Sequence, residues 1–271
     1  MDRKPLGQKS YGHIPHFPGS RMGPSDHACS PGQLKIATLK ARDRHDVIVV
    51  QEKLDGSNVG VAKINGDIVP ITRAGYLAVT SPFEQHHYFA AWVLFPAQKE
   101  RFAALLQEGE RVCGEWLMQA HGTRYNLRHE PFVPFDLMTG MVRLPWPDFK
   151  VRVESTHFTV ANTLHEGAPF SIEEAMSRLK ISGHGAVDSV EGAVWRVERY
   201  KQMHSGVSSE RRRKVDYLAK YVRPDKSDGV YLPEISGKPP VYNWLPEDSA
   251  GQIAMEAKKS FGAAKSGVVA K

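Results

Sequence analysis

The sequence predicts an α+β fold, and three observations carry that reading. Short β-branched runs recur at strand length, an Asn-Gly dipeptide separates two of them, and Ser-x-x-Glu signals precede apolar runs with helical spacing. Residues 1–34 come first; from residue 5 they are rich in Gly, Pro, His and Ser and lack apolar periodicity. They read as an irregular N-terminal arm packed on the domain. Its His13, His16, His27 and Cys29 match no zinc spacing. Residues 46–53 read as a buried strand around Val47-Ile48-Val49-Val50. Residues 59–64 and 68–72 follow as a hairpin about Asn65-Gly66.

Ser81-Pro82-Phe83-Glu84 then reads as a capping box opening a helix through about residue 94, with Phe89, Trp92 and Val93 inward. Residues 98–107 read as a second helix. Residues 111–118 alternate, with Val112, Trp116 and Met118 on one face and Cys113, Glu115 and Leu117 on the other. Strands are expected at 132–138, 193–197 and within 215–222. Ser171-Ile172-Glu173-Glu174 is a second capping box. The domain is expected to cover 35–235. Residues 236–271 form a C-terminal extension, partly disordered or loosely helical, because the last 23 residues hold few large apolar groups.

The 271 residues are 41% hydrophobic and 24% charged, enough for a sizeable core. Two cysteines, Cys29 and Cys113, exclude a disulfide framework and a four-cysteine zinc site. No apolar run approaches the ~20 residues of a membrane span, and no secretory signal is evident at the first residues. A cytoplasmic protein without a membrane partner is expected. The net charge of +6 permits a nucleic-acid partner without requiring one.

The informative segment is Glu52-Lys53-Leu54-Asp55-Gly56-Ser57-Asn58. A lysine ending a very apolar strand is unusual. Apolar walls disfavour its charged form, which would lower its pKa and make the amine a nucleophile. Asp55 is placed to orient that amine, Gly56 permits close approach of a ligand, and Ser57 and Asn58 offer hydrogen-bond groups. Alone, these residues equally fit a strand end followed by an Asp-Gly turn. Three more polar residues interrupt strand-like runs: Arg73, Glu115 in Gly-Glu-Trp-Leu, and Glu191 in Glu-Gly-Ala-Val.

Together these residues resemble the covalent nucleotidyltransferase superfamily, and within it the ATP-dependent RNA ligases. The match runs from the Lys53-x-Asp55-Gly56 nucleophile motif with its Ser-Asn extension, through Arg73, Glu115 and Phe135, to Glu191. It spans about residues 46–223. For the last family motif, Lys220, between apolar neighbours, is the first candidate for the α-phosphate lysine. Lys214 is the second, since both share a strand face if the strand is unbroken.

The resemblance implies a single nucleotidyltransferase domain of the ATP-grasp-like ligase adenylylation type, with mixed or antiparallel sheets and flanking helices. Only 51 residues follow Lys220, so no OB barrel is expected. It implies that Lys53 takes AMP from ATP, passes it to a 5′-phosphate end and seals that end to a 3′-hydroxyl, on broken RNA or a nicked duplex. Glu52, Asp55, Gly56, Asn58, Arg73, Glu115, Phe135, Glu191 and Lys220 would bind the nucleotide, with Phe135 stacked on the purine. Glu115 and Glu191 would hold Mg2+ (or Mn2+). Arg211, Arg212, Arg213 and Arg223 would contact the nucleic-acid backbone. The alternatives are an ATP-dependent DNA ligase, a GTP-using capping-type enzyme, and a non-catalytic nucleic-acid-binding module.

Overall fold

The computed structural model describes residues 4–205 and 208–244, with the side chains of 202–211 left aside. Most of the extension expected at 236–271 lies outside the described residues. Two antiparallel sheets form the frame. The four-stranded sheet runs in the order β7 (Thr163–Gly167), β1 (Asp46–Lys53), β8 (Gly192–Ser205), β9 (Ser208–Val222). The five-stranded sheet runs β3 (Asp67–Thr72), β2 (Ser57–Ile64), β4 (Glu110–Trp116), β5 (Phe132–Thr139), β6 (Val142–Arg143). Six α-helices are described: α1 (Pro31–Thr38), α2 (Glu84–Leu94), α3 (Pro96–Leu105), α4 (Trp146–Glu154), α5 (Ile172–Arg178) and α6 (Pro233–Ser236). Neither sheet closes into a barrel. No helix among the described residues is long and apolar enough to cross a membrane.

Strand alternation sorts β1 between two cores. Val49 joins Val59, Val61, Val112, Trp116 and the α2 and α3 aromatics Phe89, Trp92 and Phe102. Ile48 and Val50 join Phe17, Trp195, Val197 and Phe170 on the other side. The Asn65-Gly66 hairpin forms with φ of 52° and 82° at its two turn residues, the primed geometry that suits the twist of the flanking strands. On β4, Val112 and Trp116 face the larger core while Cys113 faces Tyr11 and Met138, the alternation read from the sequence.

Helix starts are less legible. The Ser171 box forms as expected, its hydroxyl accepting from the Glu174 N–H at 3.2 Å. The Ser81 box does not form. Helix α2 begins at Glu84 after an extended Phe83, and the Ser81 hydroxyl instead accepts from the Phe83 N–H and pairs with His86 Nδ1 at 2.6 Å. A further box, Ser30 with Gln33, caps α1 inside the stretch read as irregular. The next helix starts at Pro96, with proline in its first turn where no N–H is needed, rather than at 98. Helix α4 and strand β7 have no counterpart in the sequence reading.

Candidate active site

β1 ends at Lys53 in the four-stranded sheet, and β2 begins at Ser57 in the five-stranded one. The Lys53–Ser57 segment therefore crosses between the sheets, and a cavity of about 420 Å³ opens there. One sheet contributes Glu52, Lys53, Arg196 and Lys220 to its walls. The other contributes Asn58, Glu115 and Phe135, joined by Arg73 just beyond β3 and by Tyr11, Gly12 and Ile14 of the arm. Gly56 has a packing reason to be glycine, since a Cβ there would lie 2.5 Å from the Trp116 carbonyl oxygen.

Lys53 Nζ donates to Glu191 Oε2 at 2.6 Å. Burial pulls its pKa down, but the carboxylates of Glu191, Glu115 and Asp55 together outweigh burial and hold it above the ordinary lysine value. This corrects the expectation of a depressed pKa. Apolar walls are only part of the environment, and the acidic neighbours come from β4 and from the approach to β8. The partners move oppositely to a solvated carboxylate. Burial and the neighbouring Glu191 push Glu115 up to about 7, and burial and the neighbouring Asp55 raise Glu191. Glu115 Oε1 also accepts from the Gly56 N–H at 3.0 Å.

Glu115 on the cavity wall and Glu191 beside Lys53 are two carboxylates with raised pKa values, oxygen donors of the kind a hard divalent cation takes. Among the described residues no group of three or more His, Cys, Asp or Glu could hold a metal by itself.

Asp55 does not orient the Lys53 amine. Its Oδ2 accepts from Lys226 Nζ at 3.0 Å and from the Gly122 N–H and Thr123 hydroxyl at 3.1 Å each. The Asp55 N–H also meets the Tyr125 hydroxyl at 3.0 Å. The 121–126 loop thus clamps the crossover, and Lys226, missed in the sequence, is the buried counter-ion of Asp55. The Glu52 carboxylate is likewise occupied, by Ser182 Oγ at 2.5 Å, the Gly183 N–H at 2.8 Å and Asn162 Nδ2 at 3.4 Å. The Glu52 N–H is occupied as well, donating to the Asn162 carbonyl oxygen at 2.9 Å.

Lys220 lines the cavity, and burial followed by the charge of Lys53 lowers its pKa. Lys214 does not share its face. The register slips between Val197 and Glu198, so Val197 faces Tyr217 while Glu198 faces Val215. The extra residue, Asp216, inverts alternation below it and turns Lys214 outward. The same bulge turns Arg213 inward, where it pairs with Glu198 at 2.9 Å and Glu166 at 2.7 Å. Arg213 is therefore a buried structural cation, which corrects its assignment to nucleic acid. Arg223 is paired locally with Asp225. Arg212 is exposed, and the Arg211 side chain lies outside the described residues.

Sequence reasoning also missed the cavity floor. Phe135 meets Tyr11 edge to face at 5.1 Å. The Tyr11 hydroxyl donates to Asp136 Oδ2 at 2.5 Å, and Asp136 also receives Arg143 at 3.0 Å and Arg196. Arg196 is 1% exposed. The available signal was a charged residue midway along the apolar run Ala193 to Val197.

No curated protein matches the chain. Among solved structures, a putative ATP-dependent DNA ligase from Aquifex aeolicus is similar at 13% identity and a TM-score of 0.46, covering 94% of this chain and 60% of its own. An archaeal ATP-dependent RNA ligase is similar at 18% identity and 0.40, covering 76% and 48%. A Naegleria gruberi RNA ligase with PPi is similar at 14% identity and 0.47, covering 85% and 63%. The chain thus spans about half to two thirds of the length of these proteins. The RNA ligase family model matches residues 46–222, from the first residue of β1 to the last of β9 and across every strand of both sheets, and the chain belongs to the RNA ligase family.

Proposed function

We propose that this chain is an ATP-dependent RNA ligase that works through a lysyl-AMP intermediate. The observation that supports it most is Lys53 Nζ, 2.6 Å from Glu191, at a cavity that also gathers Arg73, Glu115, Phe135 and Lys220. In the first step Nζ forms a bond to the α-phosphorus of ATP, and the bond from that phosphorus to the bridging oxygen breaks to release pyrophosphate. AMP then passes to the 5′-phosphate of an RNA end. A 3′-hydroxyl displaces AMP, joining the ends.

Each side chain answers a physical need of that chemistry. Negative phosphate oxygens repel a nucleophile, and catalysis of phosphoryl transfer rests on positioning and cationic stabilisation. Lys220 and Arg73 supply fixed cations from opposite walls. Phe135, braced by Tyr11, offers a flat apolar face to the adenine. The Lys53 ammonium must lose a proton before it attacks, and Glu191 Oε2 lies along its hydrogen bond to receive it. Glu115 and Glu191 would hold Mg2+ (or Mn2+), which supplies neutralisation of phosphate charge when bound.

The test is incubation with α-labelled ATP or GTP and magnesium, followed by a search for acid-labile, alkali-stable label on the protein. ATP labelling that vanishes in Lys53→Ala is expected. No label from either nucleotide overturns the proposal, and label from GTP alone transfers it to capping-type chemistry. Sealing of nicks with RNA or DNA on the 3′-hydroxyl side then decides the substrate. Equal rates would remove the RNA assignment, because the 2′-hydroxyl is what distinguishes the two.

A further inference from the structure

A second cavity, of about 670 Å³, adjoins the first and is not used by the chemistry above. The two share Asn58 and Arg73. Beyond that boundary the second is lined by Tyr76, Ser81, Phe83 and His86, with threonine hydroxyls between them. We propose that it is a stacking groove for the single-stranded RNA end that carries the 5′-phosphate, with Tyr76 and Phe83 as base platforms. This rests on the ligase reading and adds to it the place where the acceptor of AMP lies.

Three features point to a nucleic-acid strand. The first is exposure: Tyr76 and Phe83 are 40% and 49% exposed, two large aromatic side chains lining one groove. Both are held ready. The Tyr76 carbonyl oxygen accepts from the Thr72 N–H at 2.9 Å, after Gly75 turns the chain at φ +89°. Phe83 is fixed by the Ser81 hydroxyl on its N–H at 3.2 Å and by edge contact with His86 at 5.8 Å. A platform whose backbone is fixed before binding loses less entropy on taking a base.

Charge is the second feature. No Asp or Glu lines the groove, Arg73 stands at its inner end, and Lys4 Nζ lies 5.0 Å over the Tyr76 ring. Flat apolar faces alternating with hydroxyls and cations match stacked bases on a phosphate backbone. Position is the third. The inner end meets, at Asn58 and Arg73, the cavity that Lys53 lines and where the 5′-phosphate must arrive, and the Asn58 Oδ1 on that boundary is buried without a hydrogen-bond partner. A peptide ligand has no reason to enter at the α-phosphate.

The experiment uses the full chain and fluorescence anisotropy with a 5′-phosphorylated single-stranded RNA oligonucleotide, in the absence of ATP. Tyr76→Ala and Phe83→Ala are each expected to bind roughly tenfold more weakly. Phe83→Tyr and Tyr76→Phe, which keep the flat face, bind within about twofold of the parent, whereas Phe83→Leu behaves like the alanine variant. AMP transfer to the RNA slows in parallel. Lysyl-AMP formation in the same preparations reports on the first cavity independently. Alanine variants that bind RNA as tightly as the parent overturn the groove. So does an unphosphorylated oligonucleotide that binds equally well, or loss of binding that the aromatic replacements fail to rescue. A parent protein that binds RNA through these rings but never forms lysyl-AMP instead defeats the ligase reading and leaves the groove standing.

Discussion

Glu191→Gln isolates the charge that does most to keep Lys53 protonated. Lys53 Nζ and Glu191 Oε2 are 2.6 Å apart, with side chains 21% and 10% exposed. At an effective dielectric of about 20, their attraction is about 6 kcal/mol. The burial penalty on the ammonium offsets much of it. The remainder is bounded by what one close opposite charge does to a pKa, a shift of about 1 to 3, or about 1.4 to 4 kcal/mol. Glutamine keeps the shape and removes the charge, so the Lys53 pKa falls by about 1 to 3. The readout is brief acetylation of the protein without ATP across a pH series, with Lys53 modification quantified by mass spectrometry. Only the neutral amine reacts. In the parent, the midpoint lies above the ordinary lysine range, and in Glu191→Gln it moves to lower pH. Glu115→Gln moves it the same way by less, because Glu115 acts on Lys53 more weakly than Glu191 and without a hydrogen bond. Stability follows with a defined sign. A raised lysine pKa contributes stability that is fully present below the unfolded value of about 10.4 and is lost as pH rises through the folded value. An unchanged or higher midpoint in Glu191→Gln would refute the reasoning.

Lys220→Ala should lower lysyl-AMP formation by about a hundredfold or more, a loss comparable to removing one preorganised charge donor, whereas Lys214→Ala should leave it within about twofold; labelling time courses check both. Arg213→Ala should cost about 3 kcal/mol in denaturant unfolding, since it strips a partner from buried Glu198. It should leave the salt dependence of RNA binding unchanged, whereas a phosphate contact would reduce the slope by about one. His184 is held down at about 4 by burial and by the charge of His129. Its folded pKa lies below the unfolded value of about 6.5, so its contribution is present above that value and lost as pH falls through the folded one, about 2 kcal/mol between pH 8 and pH 5. Unfolding midpoints of the parent and His184→Gln at the two pH values test this, and an equal loss in both would count against it.

The parts of the fold read correctly from sequence are those decided locally. Val47 to Val50 could only be a buried strand, and Asn65-Gly66 needed nothing beyond its own φ preferences. Failures arose where a partner outside the motif intervened. Ser81 was diverted from capping by His86, a side chain that the motif pattern ignores. The face of Lys214 was inverted by a bulge at Asp216, which leaves no trace in an alternation that is polar on both sides. The sign of the Lys53 pKa was missed because Glu115 and Glu191 are far along the chain, and their burial beside the amine exists only after folding. The motif residues were legible one by one. Their charges were not, because charge state depends on the assembled neighbourhood.

That assembly also explains the N-terminal arm. Lys53, Glu191 and Lys220 belong to the four-stranded sheet or its ends, while Asn58, Arg73, Glu115 and Phe135 belong to the five-stranded one or its adjoining turn. The cavity cations Lys220 and Arg73 therefore sit on separate layers, and their spacing depends on how the layers are held together. The shared core of Val49 with Val59, Val61 and Trp116 fixes the layers from below. At the mouth, the arm does so. The Ser10 and Tyr11 N–H groups both donate to the Arg73 carbonyl oxygen, and Arg73 Nη2 donates back to the Gly12 carbonyl oxygen. A few residues later the Lys220 N–H donates to the Pro15 carbonyl oxygen, and the Phe17 N–H donates to the Lys220 carbonyl oxygen. A stretch with no periodicity of its own is thus ordered by main-chain bonds to the two cavity cations on opposite layers. Its irregular sequence is what that task requires, because a helix would satisfy its own N–H and C=O groups and have none left to bind the two sheets together.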